Sequence, residues 1–397
     1  MALRIALLTY ATKPRGSVIH TLELAEALAK LGHQPHVFAL DKDGRGFHRS
    51  VNCFATPVPA QPCTGGTDQL VQQRIDEFVQ FFRQRYFQTP SDQTASPDPA
   101  PFDIYHAQDC LSANALAQLK AEGYIPHFVR TVHHIEDFQS PYLRDCQEKS
   151  IFCPDRCLCV SELWQQVLRR DYDIDAHRVV NGVSARFSAQ LSGQESSLAQ
   201  RYGLSGNPIF LTVGGIEPRK NSLQILRAFQ QVRQHHPQAQ LMIAGGATLF
   251  DYQSYRDAFM VEAQSLPPNA LVLPGVVPDE DLPVLYRLAD AFVFPSLQEG
   301  WGLVILEAIA SGLPVIASNR QPFTEFLSKE TALLVEPEVD AMAKPVHRTI
   351  ALAMVQVLQP ETAQPLIHNS QPLIDRYTWH TSAQQHLALY HQLSSPK

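Results

Sequence analysis

Short β-rich runs alternate with longer helical ones twice along this chain, and that alternation constrains the fold more than any other feature. It is the pattern of parallel sheets wound with helices. In the first half RIALLTYA reads as a buried strand, HTLELAEALAKLG as a helix closed at Gly32, and HQPHVFAL as a second strand. The long amphipathic stretch QLVQQRIDEFVQFFRQRYF follows, then FDIYHA, HFVRTVHH and RCLCVS as further strands. The alternation restarts after Pro208: PIFLTVGG, a helix from SLQILRAF, the strands AQLMIAGG and LVLPG, a helix at EDLPVLYRLA, and the strand AFVFPS. ATPVPAQPCTGG and QTPSDQTASPDPAP, rich in Pro, Ser, Thr, Gly and Asp, read as surface loops or disorder.

A chain of 397 residues exceeds the size at which one hydrophobic core stops growing. Two doubly wound α/β domains facing each other are therefore expected, and ligands in such folds sit at the carboxyl ends of the strands. VVNGVSARFS lies between the two series, with Asn181-Gly182 as hinge-like turn chemistry. The expected division is 1–182, completed by 376–397, and 183–375.

The formal charge of −7 argues against nucleic acid as a partner, because phosphate backbones select basic patches. No window approaches the length of a membrane span, and Lys13-Pro14-Arg15-Gly16 closes the first apolar run as a strand and turn would. Seven cysteines without secretory context point to reduced thiols in a cytoplasm. Cys146, Cys153, Cys157 and Cys159 crowd together, but without the paired C-x-x-C spacing of a zinc site. Cys157 and Cys159 alternate on RCLCVS, so both are expected on one packed side. Asp41-Lys42-Asp43-Gly44 imitates a metal-binding D-x-D and reads more simply as a turn. The acids of PDEDL, 278–282, suit a first helical turn. No metal and no cofactor is expected.

In QEGWGLVILEAIASGLPVIAS, Gly302 opens a nearly all-apolar helix and Gly312 closes it, leaving Glu307 as a carboxylate in a dry place. Such a group needs donors: a core arginine is one solution, and the vicinal hydroxyls of a ligand are another. Glu299, eight residues earlier, lies in the preceding loop, and the N–H groups at Gly302 and Leu303 suit a phosphate. In FLTVGGIEPRKNSL, Gly214 and Gly215 end a strand, and Arg219-Lys220 could neutralise a diphosphate without a metal. His106, His133 and His134 stand at strand ends of the first domain.

With these residues the chain resembles a family 4 retaining glycosyltransferase of the GT-B fold. Glu299 and Glu307 match its E-x7-E, VGGIEPRKNS its phosphate segment, FVFPSLQEGWG its donor loop, VVNGV its interdomain turn, and YTWH the start of a final helix returning to the first domain. The resemblance implies two Rossmann-like domains across a cleft and metal-independent transfer of a sugar from a nucleotide donor to an acceptor, with anomeric configuration kept. It implies that Glu307 holds the ribose, Glu299 the donor sugar's hydroxyls, and Arg219 with Lys220 the diphosphate. Gly300, Trp301, Gly302 and Leu303 would line the donor, with the base near Val276 and Val277. Gly16-Ser17 resembles the glycine loop that lets the acceptor side approach the diphosphate. His133, with His134 as competitor, would stand near the donor sugar. His106, His134 and Asp137 would serve the acceptor side, with Asp109 and Glu136 nearby; His20 is equally a helix-face residue. Gly215 stands where many relatives carry an arginine, which leaves Arg219 as its substitute.

Neither sugar, base nor acceptor is named by these residues. A glycoside hydrolase using Glu299 and Glu307, a nucleotide-sugar epimerase on the same two-domain plan, and a silent nucleotide- or carbohydrate-binding protein are the rivals. No basic amphipathic helix recommends peripheral membrane contact.

Overall fold

The computed structural model describes residues 2–87, 101–246, 252–336 and 346–394. The chain divides into two compact units, Met1–Asn181 with Thr378–Lys397, and Gly182–Tyr377.

In the first unit the order is β1 (Arg4–Thr9), α1 (Gly16–Lys30), β2 (Gln34–Asp41), β3 (Phe54–Pro59), α2 (Thr67–Phe82), β4 (Ile104–Ala107), α3 (Cys110–Ala121), β5 (Val129–Val132), α4 (Pro141–Phe152), β6 (Arg156–Cys159), α5 (Glu162–Tyr172) and β7 (His177–Arg178). The parallel sheet runs β3-β2-β1-β4-β5-β6-β7. Leu7 of β1 pairs with Val37 on one side and His106 on the other, so the winding reverses at β1. Strands covered on both faces read as continuous apolar runs, and Ile5 to Leu8 are fully buried. A reversal point of this kind leaves a crevice at the strands' carboxyl ends, where the functional residues of such sheets collect.

The second unit holds α6 (Glu195–Tyr202), β8 (Ile209–Val213), α7 (Ser222–Val232), β9 (Gln240–Ala244), α8 (Gln253–Ala263), β10 (Leu271–Gly275), α9 (Leu282–Leu288), β11 (Ala291–Phe294), α10 (Leu303–Ala310), β12 (Val315–Ser318), β13 (Leu333–Val335), α11 (Val346–Gln356), α12 (Pro360–Ser370) and α13 (Pro372–Arg376). Its parallel sheet runs β10-β9-β8-β11-β12-β13, and the winding reverses at β8. Phe210, Leu241, Val293 and Ile316 of the strands pack with Leu226 and Phe229 of α7 and Ile350 and Met354 of α11. The last helix, α14 (Trp379–Ser394), returns to the first unit. There the Trp379 ring meets His20 of α1 at 5.3 Å, edge to face.

The segment ATPVPAQPCTGG is corrected: its first part is strand β3, not loop. Ala60 donates its N–H to Asp41 of β2. By alternation Pro57 and Pro59 therefore turn their missing N–H positions outward, which only an edge strand tolerates. QTPSDQTASPDPAP lies outside the described residues except for its last proline. In PDEDL the acids precede α9 instead of entering it: Asp279 takes Arg186, and Asp281 takes Arg201 at 2.9 Å and Tyr202 at 2.6 Å. Asp41 accepts from the N–H groups of Gly44 and Gly46 at 3.0 and 2.9 Å, the turn expected for D-K-D-G. Cys157 and Cys159 are both buried in one apolar cluster with Trp164 and Leu168. Among the described residues no three His, Cys, Asp or Glu are grouped to hold a metal, and no helix is long and apolar enough to cross a membrane.

Candidate functional site

Two loops leave the carboxyl ends of β8 and β11, on either side of the second sheet's reversal, and they are stitched together. Leu297 donates its N–H to the Arg219 carbonyl at 2.7 Å, Ser296 Oγ reaches the same carbonyl at 2.8 Å, and Asn221 Nδ2 reaches the Pro295 carbonyl at 3.3 Å. These bonds fix Arg219 and Lys220 against Glu299. The Glu299 carboxylate accepts from Lys220 Nζ, from Arg219 Nη1 at 3.2 Å and from Ser296 Oγ at 2.8 Å. Glu217, itself buried, holds Arg219 Nε at 2.8 Å from the other side. Lys220 also lies over the Phe294 ring, 4.5 Å from its centre. A Cβ on Gly214, whose φ is +144°, would come within 3.2 Å of the Lys220 chain. Glycine there lets the lysine run along the strand end.

Burial pushes the Glu299 carboxyl up, but Lys220 and Arg219 outweigh it and hold it below the usual carboxylate range. Burial likewise lowers the Lys220 ammonium, against the pull of Glu299. The result is a fixed ion cluster with its positive charge oriented in advance.

Glu307 sits within α10 and is 8% exposed. Its Oε2 accepts from the hydroxyl of Tyr286, a fully buried residue of α9, at 2.9 Å. Gly302 precedes α10 with φ +113°, and a Cβ there would stand 2.8 Å from Phe323 Cε1. Glycine thus lets α10 begin tight against the following loop. Leu303 opens α10, Gly300 is partly buried, and the Gly215 carbonyl accepts from Ser222 Oγ at 3.4 Å. Val277 is partly buried and Val276 is exposed. Trp301 is a correction: its side chain is 3% exposed and stacks on Phe326 at 4.7 Å with Tyr377 at its edge, so its ring packs into the core of the unit.

In the first unit, Gly16 opens α1, and a Cβ there would meet nothing within 4 Å. His133, just past β5, has Nε2 3.0 Å from Gln108 Oε1 and its ring 4.6 Å from that of His20, edge to face. Burial, then His20 and Arg130, push His133 well below the ordinary histidine range. His134 turns the other way, to Glu136 at 3.1 Å and the Trp164 edge, because successive residues of an extended segment alternate sides. His106 is corrected: fully buried, it holds Tyr390 Oη at 2.6 Å with Nδ1 and Thr131 Oγ1 at 2.8 Å with Nε2, so both nitrogens are spent inside the unit. His20 is no open helix-face residue; it is fully buried with Nδ1 2.8 Å from Asn181 Oδ1. Asp137 is exposed, and Asp109 caps α3 by accepting from Ser112.

Glu217, Ser296, Tyr286, Gln108 and His386, whose ring stands 5.8 Å from that of His20, were not singled out from the sequence. Glu217 and Ser296 lie inside the quoted segments VGGIEPRKNS and FVFPSLQEGWG, so proximity to a strand end could have found them. Tyr286 lies in an apolar helix and carries no such signal.

The sequence model of the glycosyl transferases group 1 matches residues 196–356, and that of Glycosyltransferase Family 4 matches residues 14–186. The O-antigen chain mannosyltransferase B of Escherichia coli is 29% identical over 250 residues, 57% of this chain and 63% of that protein. The chain spans less than two thirds of the length of this and the next curated relatives it matches. Sucrose-phosphate synthase from Thermosynechococcus elongatus superimposes with TM-score 0.77 at 23% identity, covering 98% of this chain and 99% of that one. Anabaena HepE in complex with UDP-glucose does so with TM-score 0.78 at 18% identity, over 98% and 100%. With a family model on each unit and this fold throughout, the chain belongs to the family 4-type glycosyltransferases of the GT-B fold.

Proposed function

We propose that the protein moves a hexosyl group from a nucleoside diphosphate sugar to an acceptor hydroxyl, with retention of configuration and without a metal ion. The observation that carries this reading is the ion cluster of Glu299, Lys220 and Arg219 at the reversal of the second sheet. Breaking a sugar–phosphate bond leaves negative charge on the diphosphate, and two cations already fixed in place stabilise that charge without reorganising. Glu299 keeps both charged and aimed, and a carboxylate is an acceptor suited to sugar hydroxyls. Glu307, oriented by Tyr286, suits the paired hydroxyls of a ribose. In this reading the leaving phosphate accepts the acceptor's proton.

A hydrolase fits less well. Such an enzyme needs one carboxyl kept protonated as general acid, whereas Glu299 is held in its ionised form by two cations. The relatives' own ligands support a nucleotide donor: HepE was solved with UDP-glucose. Screening UDP-, GDP- and ADP-hexoses for thermal stabilisation tests the proposal. One of them should raise the melting temperature in wild type and fail to do so in Lys220→Ala; stabilisation by none, or equal stabilisation of the variant, would count against it.

A further inference from the structure

We infer that Glu217 is a positioning residue for diphosphate binding: buried in the loop that follows β8, it sets the plane of the Arg219 guanidinium without touching the ligand. This rests on the reading of the chain as a sugar transferase and adds a residue to the machinery of the same site.

The segment VGGIEPRKNS holds one arginine, so a single guanidinium has to meet the diphosphate from this loop. An arginine side chain on a loop normally samples many rotamers, and ordering it at the moment of binding costs affinity. Here two carboxylates take two different edges of the same planar group. Glu217 Oε2 holds Nε at 2.8 Å, and Glu299 Oε1 holds Nη1 at 3.2 Å. Because the donors of a guanidinium lie in one fixed plane, contacts at Nε and Nη1 together fix its orientation as well as its place. A lysine there could not span both.

Glu217 is 3% exposed, too little to reach a bound molecule itself. Its backbone is fixed as firmly as its side chain. The N–H reaches Ser222 Oγ at 3.3 Å, the carbonyl accepts the Lys220 N–H at 3.2 Å, and the neighbouring Ile216 packs against the core of the unit. The same residue thus anchors the main chain of one cation and the side chain of the other. The Arg219 side chain stays 36% exposed, held from within and accessible from outside.

Formal charges in the cluster balance, with Glu217 and Glu299 against Arg219 and Lys220. A carboxylate this close to a diphosphate repels it, so charge alone gives no reason to keep Glu217 buried here. Position does: donors fixed in advance stabilise the charge of a diphosphate without reorganising. Removing Glu217 therefore sets two effects of opposite sign against each other, lost repulsion that tightens binding and lost orientation that weakens it, and orientation wins.

For the test, UDP, GDP and ADP are titrated by calorimetry into wild type. The tightest binder is then titrated into Glu217→Leu, Glu217→Gln, Arg219→Ala and the double variant Glu217→Leu/Arg219→Ala, with circular dichroism confirming each fold. Affinity should fall at least tenfold in Glu217→Leu and in Arg219→Ala, while the double variant stays within about twofold of Arg219→Ala. Glu217→Gln, which keeps an acceptor oxygen for Nε, should return to within about threefold of wild type. Unchanged or tighter binding in Glu217→Leu overturns the proposal, and so does a Glu217→Gln protein as weak as Glu217→Leu. A double variant whose loss is the product of the single losses also overturns it, since that is the mark of a merely structural role. Should Glu217→Leu fail to fold, Arg219→Lys decides: it keeps the charge but cannot span both carboxylates, and affinity equal to wild type overturns the proposal. Failure of the transferase reading shows separately, as binding of none of the three diphosphates by wild type.

Discussion

Tyr286 donates its hydroxyl to Glu307 at 2.9 Å, in a place where every neighbour of the carboxylate in its own helix is apolar. The bond couples α9 to α10 and gives a buried charge a fixed orientation. Removing the hydroxyl in Tyr286→Phe should cost about 1.5–3 kcal/mol, the range for a hydrogen bond to a charged group. Denaturant melts check this; a variant as stable as wild type would show that Glu307 does not depend on the tyrosine.

Lys220→Ala removes one cation from Glu299 and leaves the bonds from Arg219 and Ser296 in place. Affinity for a nucleoside diphosphate should drop at least tenfold, while affinity for the matching nucleoside stays within about twofold. Paired calorimetric titrations measure the difference, and equal losses for the two ligands would mean that Lys220 is structural only.

Gly302→Ala should destabilise by roughly 1–3 kcal/mol, because it adds a side chain at a left-handed backbone position and drives a Cβ to 2.8 Å from Phe323. The melting temperature reads this. An unchanged value would show that the loop before α10 gives way freely.

The histidines of the first unit set an acid limit. Burial lowers His20 to about 3 and His386 to about 4, and lowers His106 and His133 well below the ordinary value. All four stay neutral in the fold and take up protons once unfolded. Stability is thus full above about pH 6.5, the unfolded value, and is lost as the pH falls toward the folded values. His20 and His386 should each contribute a slope of about 1.4 kcal/mol per pH unit between roughly pH 6 and pH 4. Urea melts across that range check the sign and size, and a stability that does not fall with acid would contradict the burial of these rings.

Both sheets were legible because parallel strands covered on two faces leave continuous apolar runs, as RIALLTYA and PIFLTVGG do. Strand β3 was not, since Pro57 and Pro59 read as loop until the sheet places them at an edge. Glu299, Arg219 and Lys220 were legible together because each follows a strand on either side of the winding reversal. His106 misled for a related reason. A strand-end histidine looks the same in sequence whether it faces a ligand or, as here, spends both nitrogens on Tyr390 and Thr131. Tyr286 and His386 lie in helices whose periodicity reports burial and nothing about partners, so the bond of Tyr286 to Glu307 and that of His386 Nδ1 with the Ser382 carbonyl come only from the fold.

EDTA should leave transfer intact, since the charge on the leaving diphosphate is assigned here to Arg219 and Lys220. Strict dependence of turnover on added manganese would require a different account of that charge.

The central claim is tested most directly by calorimetric titration of Glu307→Ala with the nucleoside diphosphate that binds wild type most tightly, beside its 2′,3′-dideoxy analogue. The account predicts at least a tenfold weakening of the natural ligand by the substitution and almost none for the analogue, with the fold retained. Equal binding of the natural ligand by both proteins would contradict it.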